Sequence, residues 1–365
     1  MNKVLIITNH DIGLYKFRRE LLAELVKIYE VYIVLPKGIY TDEIVAMGCH
    51  TLNVEIDRRG KNIFKDLLLI HKYRKFIKMI SPDVILGYTI KPNIYIGLLT
   101  RKTNIPFLPN VTGIGTVMQE ESLVKLVIIQ LYKLAFSKAH VVFFQNKYNL
   151  EKFLEYRLLH GSYKLLPGSG VNLQEYQILP YPQSEPINFV FIGRIMKEKG
   201  VDEYIELAKY VKKRYPNSYF YACGFIDDKE YSDTIKFLQQ DEIINYLGNI
   251  DNVMEIIGKS HCVIHPSYHE GMSNVLLEAA ACGRPAIASR IPGCKEIIQD
   301  GVSGYLFEKK NIEQLKGCVE KFIKLSNEQR ERMGQNARQH VELNFDRNII
   351  VESYLKEIEN AILEE

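Results

Sequence analysis

The chain of 365 residues is informative first for what it lacks. Its six cysteines, at positions 49, 223, 262, 282, 294 and 318, form no C-x-x-C pair. That spacing argues against a zinc site or a redox dithiol and fits reduced thiols filling a core. No stretch is long and apolar enough to cross a bilayer, since the richest, Leu123 to Phe144, is interrupted by Lys125, Gln130, Lys133, Lys138 and His140. The first residues run straight into Val4-Leu5-Ile6-Ile7, without the apolar region and cleavage site of a signal peptide. A cytoplasmic protein is expected. The absence of G-x-G-x-x-G disfavours a dinucleotide cofactor. No D-x-D-like carboxylate pair stands ready for Mg²⁺, and no nucleic-acid-binding motif, internal repeat or low-complexity segment is present.

What is present points to a two-domain α/β protein. With 47% hydrophobic and 25% charged residues the composition is globular, and the length exceeds one ordinary core. Short apolar strands alternate with amphipathic helices throughout. In the first half, strands are expected at 4–8, 31–35, 50–54, 84–86, 107–111 and 140–144, with helices at 17–28, 63–80, 94–103 and 122–136. In the second half, strands are expected at 188–192, 218–223, 244–247, 262–265, 286–289 and 304–307. Helices should cover 201–214, 228–240, 253–257, 273–282, 294–299 and 312–325. Alternation repeated twice predicts two parallel-sheet domains. Pro167-Gly168-Ser169-Gly170-Val171-Asn172, followed by Pro180, Pro182 and Pro186, marks the linker. The terminal segment 345–365 reads as an amphipathic helix with Ile349, Ile350, Tyr354, Ile358 and Ile362 on one face. The overall charge of +3 conceals a contrast: residues 1–165 carry +10 and residues 166–365 carry −7. A basic first half suits phosphates or lipid headgroups.

The richest segment is 269–285, His-Glu-Gly-Met-Ser-Asn-Val-Leu-Leu-Glu-Ala-Ala-Ala-Cys-Gly-Arg-Pro. Glu270 falls in a loop after the strand 262–265, and Glu278 inside the following helix, which Ser273 or Asn274 can cap. A strand–loop–helix unit of this kind lines the crevice where α/β proteins bind ligands, and its free N–H groups favour anions. Upstream, Gly193-Arg194-Ile195-Met196-Lys197-Glu198-Lys199-Gly200 follows the strand 188–192. Gly193 permits close backbone approach, Arg194 offers a planar fork for phosphate oxygens and Lys199 a mobile point charge. The bland alternatives are a solvated Glu pair and an ordinary surface loop.

Together these segments resemble the E-x7-E and G-R-x4-K-G motifs of retaining glycosyltransferases of family 4. The resemblance covers almost the whole chain and is most specific at 193–200 and 267–285. It implies the GT-B architecture: two Rossmann-like parallel-sheet domains facing a central cleft, with the C-terminal helix crossing back to the first domain. The expected domains are 1–168, with the helix at about 346–365, for the acceptor, and 169–345 for the nucleotide-sugar donor. The resemblance assigns Arg194, Lys199 and Glu270 to catalysis. It assigns Gly193, Asn249, Ile250, Ser267, Gly271, Met272, Ser273, Asn274, Val275 and Glu278 to donor binding, with Glu278 on the ribose. Cations from the protein would stabilise the leaving diphosphate, so no metal or other cofactor is expected. By residues alone, Tyr246-Leu247-Gly248-Asn249-Ile250 is equally a strand end with a turn, and Ser267 either reaches a phosphate or caps a turn.

The first half supplies loops at 9–13, 87–93 and 110–116, giving His10, Gly13, Lys91, Asn110, Thr112, Gly113 and Gly115 as acceptor-side candidates. The segments Tyr88-Thr89-Ile90-Lys91-Pro92-Asn93-Ile94-Tyr95 and Asn110-Val111-Thr112-Gly113-Ile114-Gly115 resemble bacterial enzymes of capsule, O-antigen and protein-glycan assembly. This implies a UDP-linked hexose or N-acetylhexosamine donor and an acceptor carried on undecaprenyl diphosphate. One departure stands out: several relatives place a His in the loop equivalent to 110–116, and this chain has none. His10 is a substitute candidate, although a loop His is commonly just solvated. Arg58-Arg59-Gly60-Lys61 and the following helix, with Lys65, Lys72, Arg74, Lys75 and Lys78, suit peripheral binding to an anionic membrane at the inner face of the cell. So does the apolar helix 122–136; core-facing helices with solvated outer faces are the alternative. A non-catalytic nucleotide-sugar-binding subunit is the competing reading of function.

Overall fold

The computed structural model describes every residue except 58–61, 114–122, 184, 251 and 365, and gives only the backbone of 123 and 124. It divides into two compact units, Met1–Ser169 with Asn348–Glu365, and Gly170–Arg347. The first contains the strands Lys3–Ile7 (β1), Glu30–Leu35 (β2), His50–Asn53 (β3), Val84–Tyr88 (β4), Phe107–Val111 (β5), Val141–Phe144 (β6) and Ser162–Leu165 (β7). They form one parallel sheet in the order β3-β2-β1-β4-β5-β6-β7. The second contains Ile187–Ile192 (β8), Ser218–Cys223 (β9), Asn245–Tyr246 (β10), Cys262–His265 (β11), Ala286–Ser289 (β12) and Gly304–Phe307 (β13). Its parallel order, β10-β9-β8-β11-β12-β13, repeats the doubly wound pattern.

The central strands are buried on both sides, as parallel sheets covered by helices require; β1, β4, β5 and β11 expose almost nothing. Each unit has two apolar clusters. Five of the cysteines are buried within them and Cys318 is half-buried; all are free thiols. The helix Arg347–Leu363 lays Ile350, Val351, Tyr354, Ile358 and Ala361 into the core of the first unit. Its register corrects one expectation: Ile349 is 44% exposed and lies off the buried face. The Arg18 guanidinium, buried with no carboxylate partner among the described residues, sits 5.6 Å from the Tyr88 ring and 5.5 Å from the Tyr354 ring.

Other elements depart from expectation for identifiable reasons. The first helix begins at Asp11, six residues early, because His10 caps it. The segment 294–299 forms successive turns rather than a helix. Strand β7 is exposed along its length, so it carries no burial periodicity to read. The helices Thr41–Ala46, Lys147–Glu155 and Asn327–Asn344 were also not anticipated. The last buries Arg330, Met333, Gly334, Ala337 and Val341, a stripe too small and polar to signal itself, although Ser326-x-x-Gln329 forms a complete capping box.

Arg284 organises the second unit. It is 1% exposed, and its guanidinium donates to the carbonyls of Ile257 (3.2 Å), Gly258 (2.9 Å), Leu179 (3.2 Å), Cys282 (3.2 Å), Pro180 and Gly283. Those oxygens end the helices Val253–Lys259 and Asn274–Ala281 and belong to the incoming linker, so one planar cation satisfies acceptors from three segments. Arg284→Met should therefore destabilise this unit by about 3–5 kcal/mol. Arg284→Lys, with fewer and less directional donors, should be intermediate; urea denaturation followed by a probe in the second unit checks both.

Candidate functional site

In the second unit β8 and β11 are neighbours, while the chain continues from β8 to β9 on one side and from β11 to β12 on the other. The loops leaving their carboxyl ends therefore meet at a topological switch point, the usual ligand crevice of such sheets. The turn Lys197–Lys199 follows β8, and residues 266–273 follow β11. They are tied directly: the Tyr268 N–H donates to the Glu198 carbonyl at 2.9 Å. The Ser267 hydroxyl, fully buried, reaches the same carbonyl at 3.4 Å and that of His269 at 3.3 Å. Ser267 thus braces the two loops. Gly200, at φ 74°, lies so close that a Cβ would stand 2.1 Å from the Pro266 oxygen. On the other flank Gly293, at φ 84°, accepts the Ser273 N–H at 2.9 Å and leaves no space for a Cβ beside Gly271.

Between these loops stands Glu270. Its Oε1 accepts from Lys199 Nζ at 2.6 Å and from His265 Nε2 at 3.0 Å. Its Oε2 has no hydrogen-bond partner among the described residues. Burial alone would push the carboxyl up, but the His265 hydrogen bond and the Lys199 charge outweigh it and hold Glu270 well below the usual carboxylate range. Ser273, 3.1 Å from His265 Nε2, caps the helix Asn274–Ala281 through the Leu276 N–H. Arg194 pairs with Asp227 of the loop after β9 at 2.7 Å, with the arginine side chain 41% exposed. Such a pair holds little energy and exchanges readily for another anion.

The remaining donor-side candidates surround this centre. Gly193 closes β8 by donating to the Cys223 carbonyl at 2.9 Å. Gly224 N–H donates to Gly248 at 2.8 Å, bringing Asn249 and the half-buried Ile250 into the same layer of loops. Gly271, Asn274 and Val275 are half-buried and Met272 is buried. Glu278 is half-buried one turn inside its helix, hydrogen-bonded to Tyr176, whose hydroxyl is pushed up by burial and then by that carboxylate. His269 is exposed; desolvation, then Lys309 and Lys310, lower its pKa.

In the first unit, β1 and β4 form the equivalent switch point. His10 is a helix cap: its Nδ1 accepts from the Gly13 N–H at 2.8 Å, so neither residue belongs to an open loop. Lys91, in the first turn of the helix Ile90–Thr100, pairs with Asp66 at 2.8 Å. Asn110 is buried at the end of β5; its carbonyl accepts from Asn93 Nδ2 at 2.8 Å while its own amide has no partner. Thr112 and Gly113 are half-buried, and Gly115 lies outside the described residues. Sequence reasoning passed over Thr89, held at φ 73° where a β-branched residue is strained, and Asn93, whose Oδ1 is buried without a partner. It also passed over His265 and Asp227. A strand histidine before Pro266 reads as core filler, and nothing local pairs Asp227 with Arg194.

Residues 180–340 match the family of glycosyl transferases group 1, and residues 3–146 match the glycosyl transferase 4-like family. This chain belongs to the family 4-like glycosyltransferases. The glycosyltransferase is 28% identical, over 96% of both chains, to the N,N'-diacetylbacillosaminyl-diphospho-undecaprenol alpha-1,3-N-acetylgalactosaminyltransferase of Campylobacter jejuni. It is 29% identical to the capsular polysaccharide biosynthesis glycosyltransferase CapM of Staphylococcus aureus, over 49% of this chain and 47% of CapM. Its fold is GT-B. Sucrose-phosphate synthase of Thermosynechococcus elongatus superposes with a TM-score of 0.82 over 100% of both chains at 17% identity. HepE of Anabaena, in complex with UDP, does so at 0.80 over 99% of this chain and 100% of HepE, at 16% identity.

The depressed Glu270 carboxyl gives a pH signature. A carboxylate whose folded pKa lies below its unfolded value stabilises the protein fully above the ordinary carboxylate range, and that contribution declines as pH falls through the range toward the folded value. The difference in Tm between the wild type and Glu270→Gln should therefore be largest near neutral pH and shrink as pH is lowered from about 6 to 3. A gap that stays constant would mean that the ion pair contributes nothing to folding.

Proposed function

We propose that this glycosyltransferase moves a hexose or N-acetylhexosamine, with retention, from a UDP-sugar to a glycan carried on undecaprenyl diphosphate, in the synthesis of a bacterial surface glycan. The observation that carries the reading is Glu270 at the β8–β11 switch point, with one oxygen held by Lys199 and His265 and the other open. The open oxygen is suited to accept from a hydroxyl of the transferring sugar. Lys199 uses one of its three protons on Glu270 and keeps two for the β-phosphate, while Arg194 exchanges Asp227 for a phosphate oxygen. The half-buried Glu278 receives the ribose hydroxyls.

In the proposed reaction the acceptor oxygen bonds to the anomeric carbon on the face from which UDP leaves. The bond to the β-phosphate oxygen breaks with its electron pair, and the diphosphate takes the acceptor proton. The two cations stabilise the growing charge, so no metal is required. The Campylobacter relative, named for an N-acetylgalactosaminyl transfer onto an undecaprenol diphosphate, supports both sugar class and acceptor; HepE, solved with UDP, supports the nucleotide. No nucleic acid takes part.

Peripheral membrane association is part of this proposal. The helix Ile63–Ile80 exposes Ile63, Phe64, Leu67 and Leu68, by 57–84%, next to Lys65, Arg74, Lys75 and Lys78. The helix Leu123–Ala135 of the same unit exposes Leu126 and Val127, each by 58%. Apolar side chains among cations suit the interface of an anionic leaflet. No helix among the described residues is long and apolar enough to span it.

The decisive assay offers UDP-, GDP- and dTDP-sugars with undecaprenyl-diphosphate sugars and reads the product linkage by NMR. An α-linked product from an α-linked UDP donor is expected; an inverted product, or no turnover with any UDP-sugar, sinks the reading. Activity should persist in excess EDTA, and a requirement for added Mg²⁺ or Mn²⁺ would contradict catalysis by the protein cations alone. Arg194→Ala and Lys199→Ala should each cost about 2–4 kcal/mol of transition-state stabilisation in kcat/KM. Binding to vesicles rich in anionic lipid should weaken with salt and fall when Arg74, Lys75 and Lys78 are all changed to Glu. UDP affinity should be unchanged in that triple variant.

A further inference from the structure

Glu270 has two partners of different mechanical character. Lys199 stands on a turn and reaches the carboxylate through a flexible four-carbon stem. His265 is the last residue of β11, paired in register with Ala288 of β12, and its side chain is only 5% exposed. Because Glu270 is ionised it can only accept, so the hydrogen on the shared contact belongs to His265 Nε2. Ser273 Oγ, 3.1 Å from Nε2, joins the ring to the helix start, and the buried Nδ1 has no partner among the described residues.

We infer that His265 is a positioning residue for glycosyl transfer: it holds Glu270 Oε1 so that Oε2 stays presented to the donor sugar when Lys199 is drawn toward the diphosphate. The inference rests on the reading of Glu270 as the sugar-binding carboxylate. Lys199 divides its protons between the carboxylate and the diphosphate and moves on a flexible stem, whereas the strand-borne imidazole remains in place. The His265–Ser273 contact ties the ring to the start of the helix Asn274–Ala281.

The test compares His265→Phe, which keeps a ring but removes the donor, with His265→Gln, whose amide N–H reaches about as far as Nε2, alongside Glu270→Gln and the double variant Glu270→Gln/His265→Phe. His265→Phe should lower kcat by about 10- to 100-fold, the scale of a misplaced reacting group. UDP affinity, measured by calorimetry, should remain within about threefold, because the nucleotide is held elsewhere. His265→Gln should recover most of the lost turnover. The double variant should be no slower than Glu270→Gln alone, since His265 acts through that carboxylate. If Glu270→Gln is impaired while His265→Phe matches the wild type, or if Gln is slower than Phe, the inference is overturned and the reading of Glu270 stands. If Glu270→Gln itself turns over normally, the reading of Glu270 fails and the inference falls with it. A loss of turnover in His265→Phe accompanied by equal loss of UDP binding would mark a packing residue instead and also overturn it.

Discussion

A carboxylate removed from water must be compensated on the spot, and much of the second unit's loop architecture follows from satisfying that condition at Glu270. Two donors converge on one oxygen, from a turn after β8 and from the end of β11. They meet only because β8 and β11 are adjacent strands. The close approach of the two loops in turn demands a residue without a side chain at Gly200, and the position of the Glu270 loop demands another at Gly293. A single buried charge thus depends on strand order, loop contact and residue size together. Buried ion pairs contribute modestly to stability, because desolvation offsets attraction. The value of this one lies in orientation: it leaves one lone-pair-bearing atom of known direction.

The same economy appears in Arg284. Six carbonyl oxygens from three segments surround its guanidinium, and no carboxylate is needed. Helix carboxyl ends carry partial negative charge, and a planar cation at their convergence serves as a shared cap. The first unit uses a different solution for Arg18, whose positive charge faces the rings of Tyr88 and Tyr354. Both arginines join elements distant in sequence while exposing almost no side chain.

Most of the alternating strands and helices were legible in the sequence because doubly wound sheets write themselves locally: a buried strand is an apolar run, and a helix starts at a cap such as Ser273. The bounds 107–111, 218–223, 262–265, 286–289, 304–307, 63–80 and 201–214 coincide with the structure for this reason. What escaped was either unpatterned or non-local. Strand β7 is exposed, and the helix Asn327–Asn344 buries Arg330, Gly334 and Ala337 rather than leucines. In the site, Glu270, Lys199 and Arg194 announced themselves through spacing, yet their partners His265 and Asp227 did not. Hydrogen-bond partners are chosen by strand adjacency, which spacing along the chain does not encode. For the same reason the sequence does not show that packing engages His10 as a helix cap and Lys91 in an ion pair with Asp66.

The helix Arg347–Leu363 fills the core of the first unit from beyond the second in the chain. During synthesis, the segment carrying Ile350, Tyr354 and Ile358 emerges only after all of Gly170–Arg347 has been made. Until then the nascent first unit has Leu14, Leu21 and Tyr88 without their full covering, and the Arg18 charge lacks one of its two rings. Domain-by-domain maturation on the ribosome is therefore closed to this chain in its usual order: the half translated first is the half completed last.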